Sequence, residues 1–416
     1  ARLYSVKGQH IERLSGDQVA VLTGGLKEAV FWVGQVQHGE QVRHPAPPFT
    51  TSTLQQAASQ ALGLSPERTM QIAQQLYEAG HITYHRTDGA DVAPEAQDAA
   101  RRFIAQTCGG DYVPNEPPVY QAKARHAQEA HEAIRPTDVM RLPQEVEGDG
   151  AGLYALIWRR FVASQMAPAR YAVQTVEVLA GKTHGLPYPL SFRVTGRTLT
   201  FDGYLKVYQD PPDPDAEPEE NPVLPPLSEG AALRLMGWLP VERQTQAPPR
   251  FTEASLVREL EKLGIGRPST YASMVQTLKE RGYVTLKSKR LVPSEAGVSL
   301  CTFLTAHFPD LFAAGYTAHL ENTLDAVAGG QMARLEVLRA FWADFTPQLQ
   351  AAGQAIQVTK PRLTLTGETC PVCGGDLVER CGKHGKFTGC TNYPDCGYTR
   401  GLEHKPVTLH GAGVRG

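Results

Sequence analysis

The stretch FTTSTLQQAASQALGLSPERTMQIAQQLYEAGHITY (residues 49–84) recurs without a gap, 202 positions later, as FTEASLVRELEKLGIGRPSTYASMVQTLKERGYVTL (residues 251–286). Nine positions are identical, among them Phe49/Phe251, Thr50/Thr252, Leu54/Leu256, Pro66/Pro268, Gly80/Gly282 and Thr83/Thr285. Each copy reads as a helix, a short turn, a proline-started helix, a glycine stop and a strand. The second copy runs on through Tyr283–Val292 as a hairpin with Lys287, Lys289 and Arg290 at its tip. Helix–turn–helix followed by a hairpin is the winged-helix plan of many DNA readers. Tyr84 aligns with Leu286, so one copy is expected to carry a nucleophile and the other to hold a strand.

Tyr84 stands two residues before Arg86 in Gly80-His-Ile-Thr-Tyr-His-Arg-Thr-Asp-Gly89. On an extended strand those two side chains share a face. A phenol beside a permanent cation suits attack on a phosphodiester. The plain alternative is an edge-strand tyrosine with a solvated arginine. Downstream, His131 lies among Glu129, Glu132 and Arg135. A histidine beside carboxylates can exchange protons near neutral pH, or can simply be a capped structural residue. Arg135 could neutralise a phosphate or pair with Glu132.

With 416 residues the chain is too long for one core and should form two to four domains. Charged residues make up 20% and hydrophobic ones 41%, as in soluble globular proteins, and no apolar run has the length of a membrane span. Net charge is −2, so a DNA-binding surface must arise by local segregation of charge. The first residue is alanine, which reads as an excised or processed fragment. Short β-like runs, Gln18–Leu22 and Ala29–Val33, precede the proline break Pro45–Pro48, and further strands are expected at 174–179, 190–194 and 204–208. These two β-rich pieces form one discontinuous domain, residues 1–45 and 171–245, interrupted by a helical winged-helix-like domain at 46–170. The acidic, proline-rich stretch 210–220 reads as an exposed loop that DNA repels. A second winged-helix-like domain is expected at 246–355, a cysteine ribbon at 366–402 and a flexible tail at 403–416.

Residues 250–290 carry nine Lys/Arg against four Glu. Pro268 is expected to open a helix whose apolar face is Tyr271, Met274, Val275 and Leu278. Arg267, Ser269 and Thr270 then sit where free N–H groups and the helix dipole favour a phosphate, unless the hydroxyls only cap the helix. Five of seven cysteines crowd into 370–396, and the odd total with Cys108 and Cys301 isolated argues for a reducing cytoplasm rather than disulfides. Cys370-x2-Cys373, sixteen residues, and Cys390-x5-Cys396 have the spacing of a four-thiolate structural zinc site, with Cys381 and His384 as possible substitutes. Phe387, Tyr393 and Tyr398 interleave with Lys383, Lys386 and Arg400, a pattern suited to single-stranded bases.

From about residue 40 to 400 these segments, in this order, closely resemble a bacterial type IA DNA topoisomerase. The resemblance implies a multidomain α+β fold: torus segments made of a β-stranded arch and two winged-helix-like domains, plus a zinc ribbon. It implies that Tyr84 forms a 5′-phosphotyrosine with a cut single strand, that Arg86 stabilises the transition state, and that His131 is a DNA-contacting, pKa-tuned group. It assigns the zinc to the outer four cysteines. ATP-independent relaxation of negatively supercoiled DNA by a cytoplasmic bacterial monomer would follow. The family usually has Met where His85 stands and Ser where Gly89 stands. Its acidic domain, which binds Mg2+, matches nothing here and is expected before residue 1, with a catalytic glutamate and a lysine. The chain would then hold half an active site and need that N-terminal metal-binding domain as its partner. Two further readings stand beside this one: a non-catalytic module that binds single-stranded DNA, and a winged-helix transcription factor.

Overall fold

A computed structural model describes residues 1–11, 13–26, 29–120, 132–181, 190–211, 221–242, 244–358, 364–382 and 385–401. The chain divides into two compact units, Ala1–Arg250 and Phe251–Gly416. His131, Glu129, Lys383, His384, residues 212–220 and the tail 403–416 lie outside the described residues.

In the first unit the chain forms β1 (Arg2–Val6), β2 (Gln9–His10), α1 (Gly16–Gly25) and β3 (Val30–Arg43). The helical insert follows, with α2 (Thr51–Leu62), α3 (Pro66–Glu78), α4 (Pro94–Thr107) and α5 (Ala151–Ser164). The chain returns through β4 (Ala169–Gly181), β5 (Leu190–Phe201) and β6 (Ala232–Leu233). All six strands make one sheet in the order β2-β1-β5-β4-β3-β6. β3 and β4 pair antiparallel from Val30↔Gly181 to Arg43↔Ala169. The chain therefore leaves the sheet at Arg43 and re-enters directly opposite, so residues 44–168 hang from the ends of two adjacent strands.

Two local expectations fail here for local reasons. Residues 18–22 are helical within α1, because Ser15 and Gln18 close a reciprocal capping box that β-propensity does not outweigh. Residues 204–208 are not a strand either: Gly203–Lys206 is a 3-10 turn, and its Tyr204, with Tyr208 just after it, is buried in the core of the insert. Gly203 makes this turn possible. Its φ is +50°, and a Cβ there would lie 2.5 Å from the Ala167 carbonyl oxygen and 2.6 Å from that of Pro168. Gly203→Ala should therefore lower unfolding stability by at least about 2 kcal/mol, readable by denaturant titration. A change under about 0.5 kcal/mol, the level of ordinary surface substitutions, would contradict that.

Buried Arg160 of α5 secures the same corner. Its Nε donates to the Pro47 carbonyl at 2.7 Å, and its guanidinium pairs with Asp210. It also lies 4.9 Å from the Phe49 ring centroid and 5.3 Å from that of Tyr208. Asp210, at the start of the acidic stretch, is exposed as expected and is also a partner in this corner.

The second unit contains α6 (Glu253–Lys262), α7 (Tyr271–Glu280), β7 (Val284–Lys287), β8 (Arg290–Pro293), α8 (Glu295–His307), α9 (Ala314–Ala328) and α10 (Arg334–Val358). A four-stranded sheet ends it, with β9 (Thr364–Thr369), β10 (Asp376–Gly382), β11 (Gly385–Cys390) and β12 (Thr399–Gly401). Its order is β12-β11-β10-β9.

Hydrogen bonds carry the sequence repeat into three dimensions. α2 and α6 both begin in a capping box, Thr50 with Thr53 and Thr252 with Ser255. α3 and α7 both end in a Schellman pair: His81 N–H to Leu76 O and Gly80 N–H to Tyr77 O, then Tyr283 N–H to Leu278 O and Gly282 N–H to Lys279 O. The equivalence continues beyond the matched sequence. Ile134 N–H donates to Phe49 O at 2.8 Å, as Leu291 N–H does to Phe251 O at 2.7 Å. Thr137 Oγ1 donates to Gly80 O at 2.6 Å, as Ser294 Oγ does to Gly282 O at 2.7 Å. Residues around 134–137 thus take the place of the second wing strand. Where the second copy turns at Ser288–Lys289, the first carries an insertion that includes α4.

Candidate active site

Tyr84 follows directly from the glycine stop of α3. Gly80, at φ +72°, ends the helix, and Ile82 makes a single antiparallel bridge with Pro136. Thr83 stitches the next residue down: its N–H donates to Arg135 O at 2.9 Å and its Oγ1 to Ala133 O at 2.7 Å. On the far side Thr51 of α2 does the same. Its Oγ1 donates to His85 O at 2.8 Å and accepts from Thr87 N–H at 2.9 Å. Residues 85–86 bend, so the extended strand expected through Arg86 is not formed; the chain is bent to meet α2. Burial nevertheless alternates. Tyr84, 48% exposed, and Arg86 are open to solvent, while His85 and Thr87 are buried.

His85 is fully buried, and neither ring nitrogen has a hydrogen-bond partner among the described residues. Burial, helped by the Arg86 guanidinium and opposed by the Glu78 carboxylate, pushes its pKa down from 6.5 to about 4. The unfolded chain takes up this proton near pH 6.5, whereas the folded chain refuses it until about 4. The stability involved is complete above the unfolded value and is lost as pH falls, by about 2–3 kcal/mol at pH 4.5. Denaturant unfolding at pH 7 and 4.5 should show that loss in the native sequence and a shallower one in His85→Met. Equal pH slopes in the two proteins would contradict it.

The basic side chains expected to meet phosphate are placed unequally. Arg135 is committed within the chain: Nε and Nη2 grip both oxygens of Glu132, at 2.6 and 3.0 Å, and Nη1 donates to Pro136 O. Glu132 also accepts Ala93 N–H at 2.9 Å. The salt bridge, not a free cation, describes Arg135, because an adjacent carboxylate satisfies its planar fork. Arg267 is similar, with Nη2 at 2.8 Å from Asp325 and 3.8 Å from Glu321, both on α9. Pro268 does not open α7. Residues 267–270 form a turn in which Thr270 Oγ1 accepts Arg267 N–H, and the helix begins at Tyr271. Ser269 is exposed beside it. Lys287 and Lys289 are exposed at the wing tip, and Arg290 is half-buried. Ser288 and Lys289 both have positive φ, +48° and +62°, which matches the tight two-residue turns that join hairpin strands.

Cys370, Cys373, Cys390 and Cys396 form a separate centre. Their Sγ atoms all lie within 4.8 Å of one another, and this is the one such cluster among the described residues. Sγ–Sγ distances of 3.7 Å (Cys370–Cys396) and 3.4 Å (Cys373–Cys390) compare with the roughly 3.8 Å that follows from tetrahedral Zn–S bonds of 2.3 Å. A backbone hydrogen bond at Gly375 leads the interactions that bring the Cys373 thiol down to about 7. Four thiolates of this size fit a structural zinc ion and leave no open position for catalysis. Cys381 pairs across the sheet with Lys386, four rungs from the Leu377–Cys390 pair, and the four-cysteine set is complete without it. Tyr393 is exposed, with the Arg380 guanidinium 5.7 Å from its ring centroid.

Tyr77 belongs to none of the sequence motifs. It lies on the last turn of α3 with its ring centroid 5.3 Å from that of Tyr84, edge-on.

Residues 9–339 match the family model for DNA topoisomerase, and residues 367–405 match that for the topoisomerase DNA-binding C4 zinc finger. The chain is 42% identical to DNA topoisomerase 1 of Zymomonas mobilis over 98% of its own length and 36% of that protein's. It is 38% identical to that of Campylobacter jejuni, over 97% and 58%. Full-length topoisomerase I from Thermotoga maritima superposes with a TM-score of 0.68 at 31% identity, over 97% of this chain and 64% of that one. The chain thus spans roughly a third to three-fifths of the relatives' length.

Proposed function

The chain belongs to the bacterial DNA topoisomerase family, and on that premise we propose that it is the strand-cleaving, strand-gating and DNA-holding part of an ATP-independent type IA enzyme that relaxes negative supercoils. The observation that carries this reading is the tethered bend that leaves Tyr84 and Arg86 exposed while anchoring the residues between and beside them. The Tyr84 hydroxyl attacks a phosphorus of a single DNA strand, forming a 5′-phosphotyrosine. The phenolic proton departs, and the 3′-oxygen leaves and takes up a proton. Arg86 meets the charge that gathers on the phosphoryl oxygens. His131 contributes the proton-tuned DNA contact that the family resemblance implies. Reversal reseals the strand, and because the ester exchange conserves bond energy, no nucleotide is consumed.

What supports gating is the attachment of residues 44–168 at the paired ends of β3 and β4, which offers a place for a hinge. The exposed Lys287 and Lys289, with Arg290, Ser269 and the 267–270 turn, hold the strand in the second winged-helix copy. Cys370, Cys373, Cys390 and Cys396 would hold a zinc ion that fixes the ribbon, whose exposed Tyr393 stacks on bases. The family resemblance places the magnesium-binding acids outside these residues; bound there, the ion would supply positive charge for the leaving oxygen. Among the described residues no helix is long and apolar enough to cross a membrane. A monomer acting on DNA in the bacterial cytoplasm is part of this reading; the relatives named are bacterial.

A single-stranded oligonucleotide that traps the cut strand, incubated with this chain alone or with the family's acidic domain and Mg2+, tests the reading. Covalent adduct on complementation only is expected. Adduct from the chain alone would refute the shared active site. Salt-sensitive DNA binding with no adduct in either arm would leave a non-catalytic single-strand binding module.

A further inference from the structure

We propose that Tyr77 and His85 clamp the Tyr84 ring and act as positioning residues for the nucleophile, a role that rests on Tyr84 being the attacking group. The backbone on either side of Tyr84 is fixed by the hydrogen bonds of Thr83 and Thr51. What remains free is rotation of the Tyr84 side chain, which for an exposed tyrosine ordinarily samples several staggered wells. Here two rings confine it. The Tyr77 and Tyr84 centroids are 5.3 Å apart with planes at 69°, and those of Tyr84 and His85 are 5.3 Å apart at 66°. Tyr77 and His85 close the triangle at 5.9 Å and 46°. The first two pairs are edge-to-face arrangements at the separations aromatic rings prefer.

Each wall of the clamp is itself held. Tyr77 projects from the last turn of α3, where the Schellman bonds fix the helix end. His85 is fully buried, so its ring has no room to turn away. Its lowered pKa, near 4, keeps it an uncharged wall at neutral pH between the Arg86 and Glu78 charges.

The second winged-helix copy supplies an internal control. Its residues aligned with Tyr77, Tyr84 and His85 are Lys279, Leu286 and Lys287, so all three rings are absent together. The triad occurs only in the copy that bears the tyrosine. Such a clamp would act by presenting the phenol oxygen already oriented, where misplacement of a reacting atom by an ångström costs about 100-fold in rate.

The test has two readouts. In the chain with labelled tyrosine rings, the Tyr84 resonance (assigned by its loss in Tyr84→Phe) should be displaced by its neighbours. It should shift toward the position of free tyrosine in Tyr77→Ala, and partly so in His85→Leu, which fills the buried volume without a ring. In the complemented enzyme, Tyr77→Ala should slow adduct formation at saturating oligonucleotide by about 10- to 100-fold with unchanged DNA affinity. Tyr77→Phe should restore the rate. Unshifted resonances in both variants would overturn the clamp. So would a Tyr77→Phe rate as slow as that of Tyr77→Ala, or affinity falling in step with rate. If the native sequence forms no adduct, the phosphotyrosine reading fails while the ring resonances still decide the clamp.

Discussion

Removing zinc from the four-cysteine site is expected to unfold residues 364–401 while Ala1–Arg250 stays folded. The ribbon buries little besides its own ligands: Cys370, Cys390 and Cys396 share their cluster with Leu377, half-buried Tyr398 packs against it, and Val378 and Thr388 are also buried. A four-stranded sheet of that size has too little apolar burial to offset its conformational entropy. Structural zinc contributes about 10–16 kcal/mol in comparable peptides, the largest single term the ribbon can have. Chelation, or Cys396→Ser, should therefore erase amide hydrogen-exchange protection across β9–β12 and leave that of β3, β4 and β5 intact. Metal analysis of the untreated protein should find one zinc per chain. Protected ribbon amides in a zinc-free protein would contradict this account of its stability.

Tyr84→Phe is the second large effect. It deletes one oxygen and keeps the ring, so the edge-to-face contacts with Tyr77 and His85 survive. Stability should change by no more than about 0.5 kcal/mol, as at other exposed sites. The attacking group is nevertheless gone. Adduct formation and relaxation in the complemented enzyme should fall by on the order of 10^4-fold or more, as when a nucleophile is removed from an enzyme. Retained activity in a folded Tyr84→Phe protein would mean that another residue attacks.

Much of this was legible in the sequence because it is local. The capping residues, the prolines that open turns and the glycine stops lie within one contiguous match, and two-residue cysteine spacing fixes a knuckle by itself. The family's α+β fold follows from motifs in that order. What escaped depends on partners distant in the chain. Nothing in residues 134–137 announces that they stand in for a wing strand, because the insertion separates them from Tyr84. Arg267 looked free for phosphate because Asp325 and Glu321 are more than fifty residues away. Gln18–Leu22 has the β-propensity of a strand, yet the Ser15 cap makes it helical, and Tyr204–Tyr208 is turned out of a strand by the positive φ of Gly203. Tyr77 belongs to no motif; only the geometry of the helix end sets its ring against Tyr84.

The central claim is that Tyr84 is the residue that takes the cut strand. Digesting the covalent adduct from the complemented enzyme and sequencing the DNA-linked peptide by mass spectrometry tests it most directly. The account predicts one modified peptide, with a nucleotide 5′-phosphate on the Tyr84 oxygen. A nucleotide on any other residue, or linkage through a 3′-phosphate, would contradict it.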